Sequence, residues 1–164
     1  LSTVDNNNIP SQRTVLLKYY DHLGFVFFSN YTSRKAQHLD TNTNASLLFP
    51  WYALERQVII IGKVDRITEE ESKAYFFNRP YGSQLGAWVS KQSSVIKSRQ
   101  VLENRLSELK QKFPKGKVPF PNFWGGYRLM PKNIEFWQGG VNRLHDRILY
   151  KEVESEWSRV RLSP

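Results

Sequence analysis

Apolar and polar residues alternate in short runs along most of the chain, and this pattern predicts strands more often than helices. The longest run covers residues 56–67, where four consecutive aliphatic residues indicate a central strand that is buried on both faces. Pro50 indicates that the strand containing it lies at an edge or carries a bulge. The predicted strands, bounded by turn-forming residues, are 12–20, 25–30, 45–51, 56–67, 124–130, 134–138, 147–152 and 157–162.

Three helices are predicted where a polar cap precedes an amphipathic run. Ser33 predicts the start of a short helix. Thr68 and Glu71 have the spacing of a capping box, and the helix that they start ends before Pro80. Ser98 predicts the start of a third helix, which carries leucines along one face.

These elements predict a chain that is mainly β with helices (α+β). Hairpin-scale connections between several strands indicate an antiparallel sheet curled into a barrel, with helices around it, in a single domain over residues 1–164. The sequence lacks both the repeated strand–helix alternation of a doubly wound fold and the glycine patterns of nucleotide-binding loops.

Composition excludes several kinds of site. The 164 residues include no Cys, which excludes disulfides, thiolate nucleophiles and Cys-ligated metals. The three His residues do not stand at metal-ligand spacing, and no apolar run is long enough for a membrane-spanning helix. The chain starts at Leu1 without a signal-peptide profile, so we expect a cytoplasmic protein from which an N-terminal segment is missing. The net charge of +9 favours anionic partners.

Two adjacent cations lie in the first turn of the first predicted helix. Arg34 and Lys35 follow Ser33, although the helix dipole disfavours cations at that end. A bound phosphate would accept hydrogen bonds from the free backbone N–H groups and from both side chains. We favour such an anion site over the alternative, a solvated pair on a surface helix.

Three further stretches carry polar groups with weaker signals. The side chains of Tyr75, Arg79 and Ser83 could donate hydrogen bonds to a phosphate. However, the four-residue spacing of Tyr75 and Arg79 more often reflects a simple contact on a helix surface. The polar residues 91–94 are most often only a loop. The segment 136–147 concentrates glycines, arginines, a His and an Asp, and the Asp could simply pair with an arginine to hold the loop.

The segment 136–147 also carries candidate catalytic residues. In an extended chain Arg143 and His145 would face the same side. The sequence contains no conventional hydrolase site, and a chain with phosphate donors, aromatic rings and few acid–base groups indicates chemistry supplied by a cofactor.

Motifs in order along nearly the whole chain resemble the pyridoxine/pyridoxamine 5′-phosphate oxidase family. The main motifs are Arg13-Thr14-Val15-Leu16-Leu17-Lys18, Ser33-Arg34-Lys35, Tyr75-Phe76-Phe77-Asn78-Arg79-Pro80, Gln92-Ser93-Ser94, Trp124-Gly125-Gly126, Glu135-Phe136-Trp137-Gln138-Gly139 and Arg143-Leu144-His145-Asp146-Arg147.

The resemblance implies an FMN-binding split β-barrel that forms a homodimer with the flavin at the interface. It implies oxidation of pyridoxine 5′-phosphate or pyridoxamine 5′-phosphate to pyridoxal 5′-phosphate, with hydride passing from substrate C4′ to flavin N5. O2 then reoxidises the flavin and forms H2O2. The implied partners are small phosphorylated B6 vitamers and O2, with no metal, nucleic acid or membrane.

The resemblance also implies roles for individual residues by matching position. The implied flavin contacts are Arg13, Thr14, Val15, Leu16, Leu17, Lys18, Phe28, Ser29, Arg34, Lys35, Gln57, Gln92, Ser93, Trp137 and Arg147. The implied substrate contacts are Lys18, Tyr75, Arg79, Ser83, Arg143, Leu144 and His145. Arg143 and His145 are the implied catalytic residues, over the substrate ring on the side away from the flavin.

One departure from the family and two alternative functions matter. Family members often have Tyr-Thr where this chain has Phe28-Ser29, which removes one hydroxyl contact. A basic nucleic-acid-binding barrel is favoured by the net charge and by the lysines in residues 110–117. A split-barrel flavin reductase with another substrate would keep Arg34, Lys35 and Gln57, but it would not need the implied substrate contacts.

Overall fold

The computed structural model describes residues 1–154 and 156–164, which form nine strands and four α-helices. The strands are β1 (Ser2–Val4), β2 (Pro10–Gln12), β3 (Tyr19–Asp21), β4 (Gly24–Asn30), β5 (Asn44–Trp51), β6 (Arg56–Arg66), β7 (Trp124–Gln138), β8 (Asp146–Val153) and β9 (Glu156–Leu162). The helices are α1 (Arg34–Thr41), α2 (Glu69–Phe77), α3 (Tyr81–Val89) and α4 (Gln100–Lys112).

All nine strands belong to one antiparallel sheet organised around β7. The main path of the sheet is β2-β1-β5-β6-β7-β4-β3, and β8 adds to β7 and carries β9. β6 follows one edge of β7 along most of its length, whereas β4 and β8 share the other edge, one on each half. The sheet divides there without closing, which confirms the predicted antiparallel split-barrel architecture of the α+β class.

β7 is one continuous strand with a bulge, whereas the sequence predicted two separate strands at 124–130 and 134–138. Ile61 pairs with Asn133 but Gly62 pairs with Pro131, so Lys132 is the extra residue. Pro131 lies in the gap between β4 and β8, where a missing N–H disrupts no ladder on that edge. A Cβ on Gly62 would overlap the Met130 carbonyl, so this close approach requires glycine.

The predicted strand over residues 12–20 is wrong in its middle. Gln12 pairs in β2 and Tyr19 in β3, but residues 13–18 belong to no strand. They form an irregular segment. Its residues Arg13, Thr14, Val15 and Leu17 line a cavity of about 610 Å³ together with Phe27 of β4 and Leu47 of β5. This segment contains six of the residues implied as flavin contacts.

Local capping signals predicted the starts of α1 and α2 correctly, but they did not predict the starts of α3 and α4. Ser33 Oγ accepts from the N–H of Ala36, and Thr68 forms the capping box that starts α2. Ser98 does not cap α4. The helix begins at Gln100, one residue later than a cap at Ser98 predicts, and it has no side-chain cap. The sequence did not predict α3, because it contains two glycines and no polar cap; burial of its Leu85 stabilises it instead.

Two apolar clusters hold the elements together. The first lies in the barrel and includes Phe27, Ile60 and Leu129, which are almost fully buried. The second packs α2 and α3 against the start of β7 and includes Phe76 and Trp124. None of the four described helices has the length and apolar character that crossing a bilayer requires.

Candidate functional site

Three basic side chains, Arg13, Arg34 and Lys35, form what we call the cation cluster, near the N-terminal end of α1. Lys35 is 6% exposed, and its Nζ donates to Ser29 Oγ at 3.0 Å and to Gln92 Oε1 at 3.1 Å. Burial, and then the charge of Arg13, lower the pKa of Lys35 to about 8. Burial and the charge of Arg34 likewise lower the pKa of Arg13.

The cation cluster has an excess of positive charge that an anion would neutralise. Within residues 1–154 and 156–164, no carboxylate forms an ion pair with any of its three members. Buried cations are normally paired, so a cluster without an acid indicates a site for an anionic ligand.

The loop at residues 91–94, although distant in sequence, contacts the N-terminal end of α1. Ser93 Oγ accepts from the backbone N–H of Arg34 at 3.2 Å, and Gln92 Oε1 accepts from Ser29 Oγ at 3.0 Å. Ser93 has a φ of 71°, a left-handed conformation that costs free energy for a residue other than glycine. The polar loop at 91–94 therefore contacts the cation cluster, which its composition alone did not predict.

A second group lies where β6, β7 and β8 run side by side. Gln57 on β6 and Arg147 on β8 are the two cross-strand neighbours of Trp137 on β7. The ring of His145 lies 4.8 Å from that of Trp137, centroid to centroid. Gln57, Trp137 and His145 line a cleft of about 360 Å³ with Gly140. The structure thus brings together four of the residues that the sequence implied separately.

The connection between β7 and β8 contains a 3₁₀ turn over Val141–Arg143, so the extended chain in which Arg143 and His145 would face the same side is not formed there. Asn142 and Arg143 have φ values of 56° and 63°, a strained backbone of the kind that concentrates at functional sites. The Gly140 N–H donates to His145 Nδ1 at 3.1 Å, which places the proton of the neutral ring on Nε2. The loop therefore orients His145 while Arg143 stays exposed beside it.

Arg147 is held by an acid that the sequence reasoning missed. Its Nε and Nη2 donate to the two oxygens of Glu135 at 2.8 and 3.1 Å, and Nη1 donates to the carbonyl of Ser163 at 3.0 Å. The Glu135 hydrogen bond raises the pKa of Arg147. Glu135 lies in a motif of the resemblance, but nothing in its spacing pairs it with Arg147. Asp146 pairs with Arg161, as its position in the loop allowed.

A third group surrounds Arg79, which lies just beyond the end of α2 and not on the helix with Tyr75. Its guanidinium is 4.6 Å from the centre of the Trp124 ring, and Phe28 stacks on Tyr75 at 3.9 Å. Arg79 Nη1 is buried without a hydrogen-bond partner among the described residues, and burial lowers the pKa of Arg79. An unsatisfied buried guanidinium N–H indicates a missing acceptor.

The structure places the backbone of two further predicted substrate contacts, Ser83 and Lys18. Ser83 lies in the first turn of α3, and its N–H donates to the Pro80 carbonyl at 2.8 Å. Lys18 lies beside β4, because its N–H donates to Val26 at 2.9 Å. The roles of these side chains, and of Thr14, Val15, Leu16 and Leu17 in the irregular segment, stay predictions.

The three groups lie at different positions along β4 and β7. Ser29 of the cation-cluster region is paired with Gly125, whereas Gln57 is paired with Trp137, twelve residues further along β7. At 3.3 Å per residue this spacing is about 40 Å of strand. Phe28 and Ser29 are neighbours on β4, so the first and third groups lie on opposite faces of one strand and the second lies at the far end of β7.

Known proteins are similar to this chain along its full length. A family model described as pyridoxamine 5′-phosphate oxidase matches residues 1–113, and one described as the pyridoxine 5′-phosphate oxidase C-terminal dimerisation region matches residues 124–164. Proteins named pyridoxine/pyridoxamine 5′-phosphate oxidase from Enterobacter sp. (strain 638) and Citrobacter koseri are 56% and 55% identical over all 164 residues. These residues span 75% of each relative.

Solved structures share the fold. PhzG from Burkholderia lata 383, crystallised with tetrahydrophenazine-1-carboxylic acid, has a TM-score of 0.92 and 29% identity and covers 99% of this chain, over 80% of its own length. An FMN-binding protein from Nostoc punctiforme, related to pyridoxamine 5′-phosphate oxidase, has a TM-score of 0.79 and 18% identity, over 99% of this chain and 85% of its own.

Proposed function

The chain belongs to the pyridoxamine 5′-phosphate oxidase family, and from this membership we propose that it oxidises pyridoxine 5′-phosphate or pyridoxamine 5′-phosphate to pyridoxal 5′-phosphate. The observation that carries the proposal is the 54–56% identity to oxidases of that name over the full chain. The groups around Lys35 and Arg79 support it, because the reaction needs a binding site for each of two phosphate groups.

FMN fits the cation cluster as the proposed cofactor. A phosphate monoester carries about −1.5 to −2 charges at neutral pH, which suits three cations that have no acid partner among the described residues. The hydroxyls of Ser29 and Ser93 and the amide of Gln92 would complete the phosphate site. FMN held there would supply the redox chemistry, as the acceptor at N5 for a hydride from substrate C4′ and the donor of those electrons to O2, which would yield H2O2. With the amine substrate, water would hydrolyse the resulting imine and ammonia would leave.

We propose that the flavin lies between two subunits, because Gln57, Trp137 and Arg147 are implied flavin contacts too. Measured along the strand, about 40 Å of β7 lies between the residue that pairs with Ser29 and the residue that pairs with Gln57. A second copy of the chain would place its own Trp137 beside the first copy's cation cluster. The match of residues 124–164 to a dimerisation region supports a homodimer.

The substrate phosphate fits the group around Arg79. The unpartnered Nη1 of Arg79 would donate to it, with the hydroxyls of Tyr75 and Ser83 and the Lys18 ammonium as further donors. Hydrogen bonds to charged groups contribute about 1.5–3 kcal/mol each, so several of them would distinguish a phosphorylated from an unphosphorylated vitamer. PhzG shares the fold, but its bound ligand bears a carboxylate and no phosphate.

The strained loop supplies the proposed catalytic residues. Arg143, with Leu144 beside it, would clamp the substrate ring and stabilise negative charge as it develops. His145, held by Gly140 with its proton on Nε2, would orient the substrate or move a proton. A cytoplasmic location stays a prediction from the sequence.

We expect purified protein to be yellow, and pyridoxine 5′-phosphate added without O2 to bleach the flavin absorption band. Unphosphorylated pyridoxine at the same concentration serves as the control and is expected to bleach it much more slowly. Bound flavin that is reduced by neither compound would contradict the substrate assignment. A colourless protein that binds RNA with a steep salt dependence would favour the nucleic-acid alternative.

Heterodimers test whether two subunits share each site. Lys35→Met disables the cation cluster, and Arg143→Ala disables the loop at the far end of β7. Each variant homodimer is expected to be nearly inactive, whereas a purified heterodimer carrying one variant in each subunit keeps one intact site and about half of the parent turnover. Heterodimer activity no higher than that of the two homodimers would show that each site lies within one chain.

A further inference from the structure

A buried hydroxyl and an imidazole stand behind the cation cluster. Thr3 in β1 is fully buried, and His38 in α1 is 9% exposed. Thr3 Oγ1 lies 3.0 Å from His38 Nδ1, and Arg13 Nη1 donates to Thr3 Oγ1 at 2.8 Å. A chain of hydrogen bonds therefore connects His38 through Thr3 to Arg13. Neither Thr3 nor His38 belongs to the residues that the sequence implied for the site.

The direction of each bond follows from the donors available. A guanidinium has only donors, so Thr3 Oγ1 accepts from Arg13. The arrangement that satisfies all three groups then has the Thr3 hydroxyl donate to His38 Nδ1, with the imidazole neutral and its proton on Nε2. The imidazole thereby sets the hydroxyl rotation that presents an oxygen lone pair to Arg13.

Arg13 needs this support because it lies among like charges. The charge of Arg34 lowers the pKa of Arg13, and Arg13 lowers that of Lys35, so the three side chains repel one another. Besides Thr3, the guanidinium donates to the Leu1 carbonyl at 3.1 Å and to a serine hydroxyl of β2. Among the described contacts, three of its five N–H donors are used, which leaves two for an anion.

We propose that Thr3 and His38 are positioning residues, which hold Arg13 against the repulsion of Arg34 and Lys35 so that the cation cluster is arranged before the cofactor binds. The inference rests on the proposed FMN site, and its physical basis is preorganisation: a cation fixed in advance loses less conformational entropy on binding. His38 acts one turn beyond Arg34 on α1, so the same contact also ties β1 to the helix that carries the other two cations.

Titrating FMN with apo-protein, followed by the quenching of flavin fluorescence, measures the predicted effect. Thr3→Val keeps the shape of the side chain but removes the hydroxyl, and we expect it to weaken FMN binding by about tenfold. Thr3→Ser keeps the hydroxyl but removes the methyl group, and its affinity is expected to stay within about twofold of the parent. Thr41→Val is the matched control, because that hydroxyl bonds only to backbone carbonyls of α1.

A double-mutant cycle separates positioning from a general structural role. In an Arg13→Ala background, Thr3→Val is expected to cause no further loss of affinity, because the group that it positions is gone. If Thr3→Val fails to fold, the pair His38→Asn and His38→Leu gives the same comparison. Asn places an oxygen near the position of Nδ1 and is expected to keep most of the affinity, whereas Leu loses about tenfold.

Three results would overturn the inference: parental affinity in Thr3→Val, an equal loss in Thr3→Ser, or a full loss that persists without Arg13. Melting temperatures of the apo-proteins identify variants whose fold is damaged. The FMN titration of the parent protein distinguishes a failure of the proposed function, because the parent protein itself would then not bind FMN.

Discussion

Replacing Arg79 with Met is expected to lower kcat/KM for pyridoxine 5′-phosphate by about 10²- to 10³-fold, mainly through KM. The guanidinium is held over Trp124, and Nη1 is buried with no partner in the described part of the chain, so the substrate phosphate would supply the acceptor it lacks. Two charge-assisted hydrogen bonds of about 1.5–3 kcal/mol each account for a loss of this size. Steady-state kinetics with the phosphorylated substrate measure it.

The same substitution separates substrate recognition from folding and from flavin binding. Met keeps apolar contact with Trp124, and removing a partly buried cation relieves its desolvation, so we expect the melting temperature of the apo-protein to stay the same or rise. FMN affinity is expected to be unchanged. Arg99→Met, at a side chain that is 90% exposed, is the matched control. An unaltered KM in Arg79→Met would remove Arg79 from the substrate site.

Arg143→Ala is expected to lower turnover by about 10²- to 10³-fold, the typical effect of removing a group that stabilises charge in the transition state. The residue lies in the 3₁₀ turn after β7, remote along that strand from the cation cluster. The dissociation constant of FMN is therefore expected to change much less than kcat. Stopped-flow measurement of flavin reduction without O2, beside a fluorescence titration of FMN, gives both quantities.

The choice of alanine at this position avoids a backbone artefact. Arg143 has a φ of 63°, and glycine would relieve that strain while alanine keeps it. Arg143→Lys keeps the charge without the planar fork and is expected to recover only part of the rate. Turnover of Arg143→Ala close to that of the parent would refute the clamp role.

The sequence singled out the cation cluster because a local rule is broken there. Arg34 and Lys35 stand at the helix end that disfavours cations, and Lys35 is buried there without an acid partner among the described residues. The spacing of Tyr75 and Arg79 was a weak signal because α2 ends at Phe77, and the burial of the Arg79 guanidinium became visible only in three dimensions. Glu135, Thr3 and His38 carried no signal, because their partners lie more than ten residues away.

The sequence by itself determined the strand-rich class, the capped starts of α1 and α2 and, through its motifs, the family. These features depend on neighbouring residues, whose periodicity and hydrogen-bonding groups act within a few positions. Only the tertiary structure decided that residues 13–18 leave the sheet, that β7 runs unbroken through its bulge at Lys132, and that α3 forms without a cap. It also decided that Ser29 and Gln57, both implied flavin contacts, pair with opposite ends of β7, because strand pairing and burial join residues that no local pattern connects.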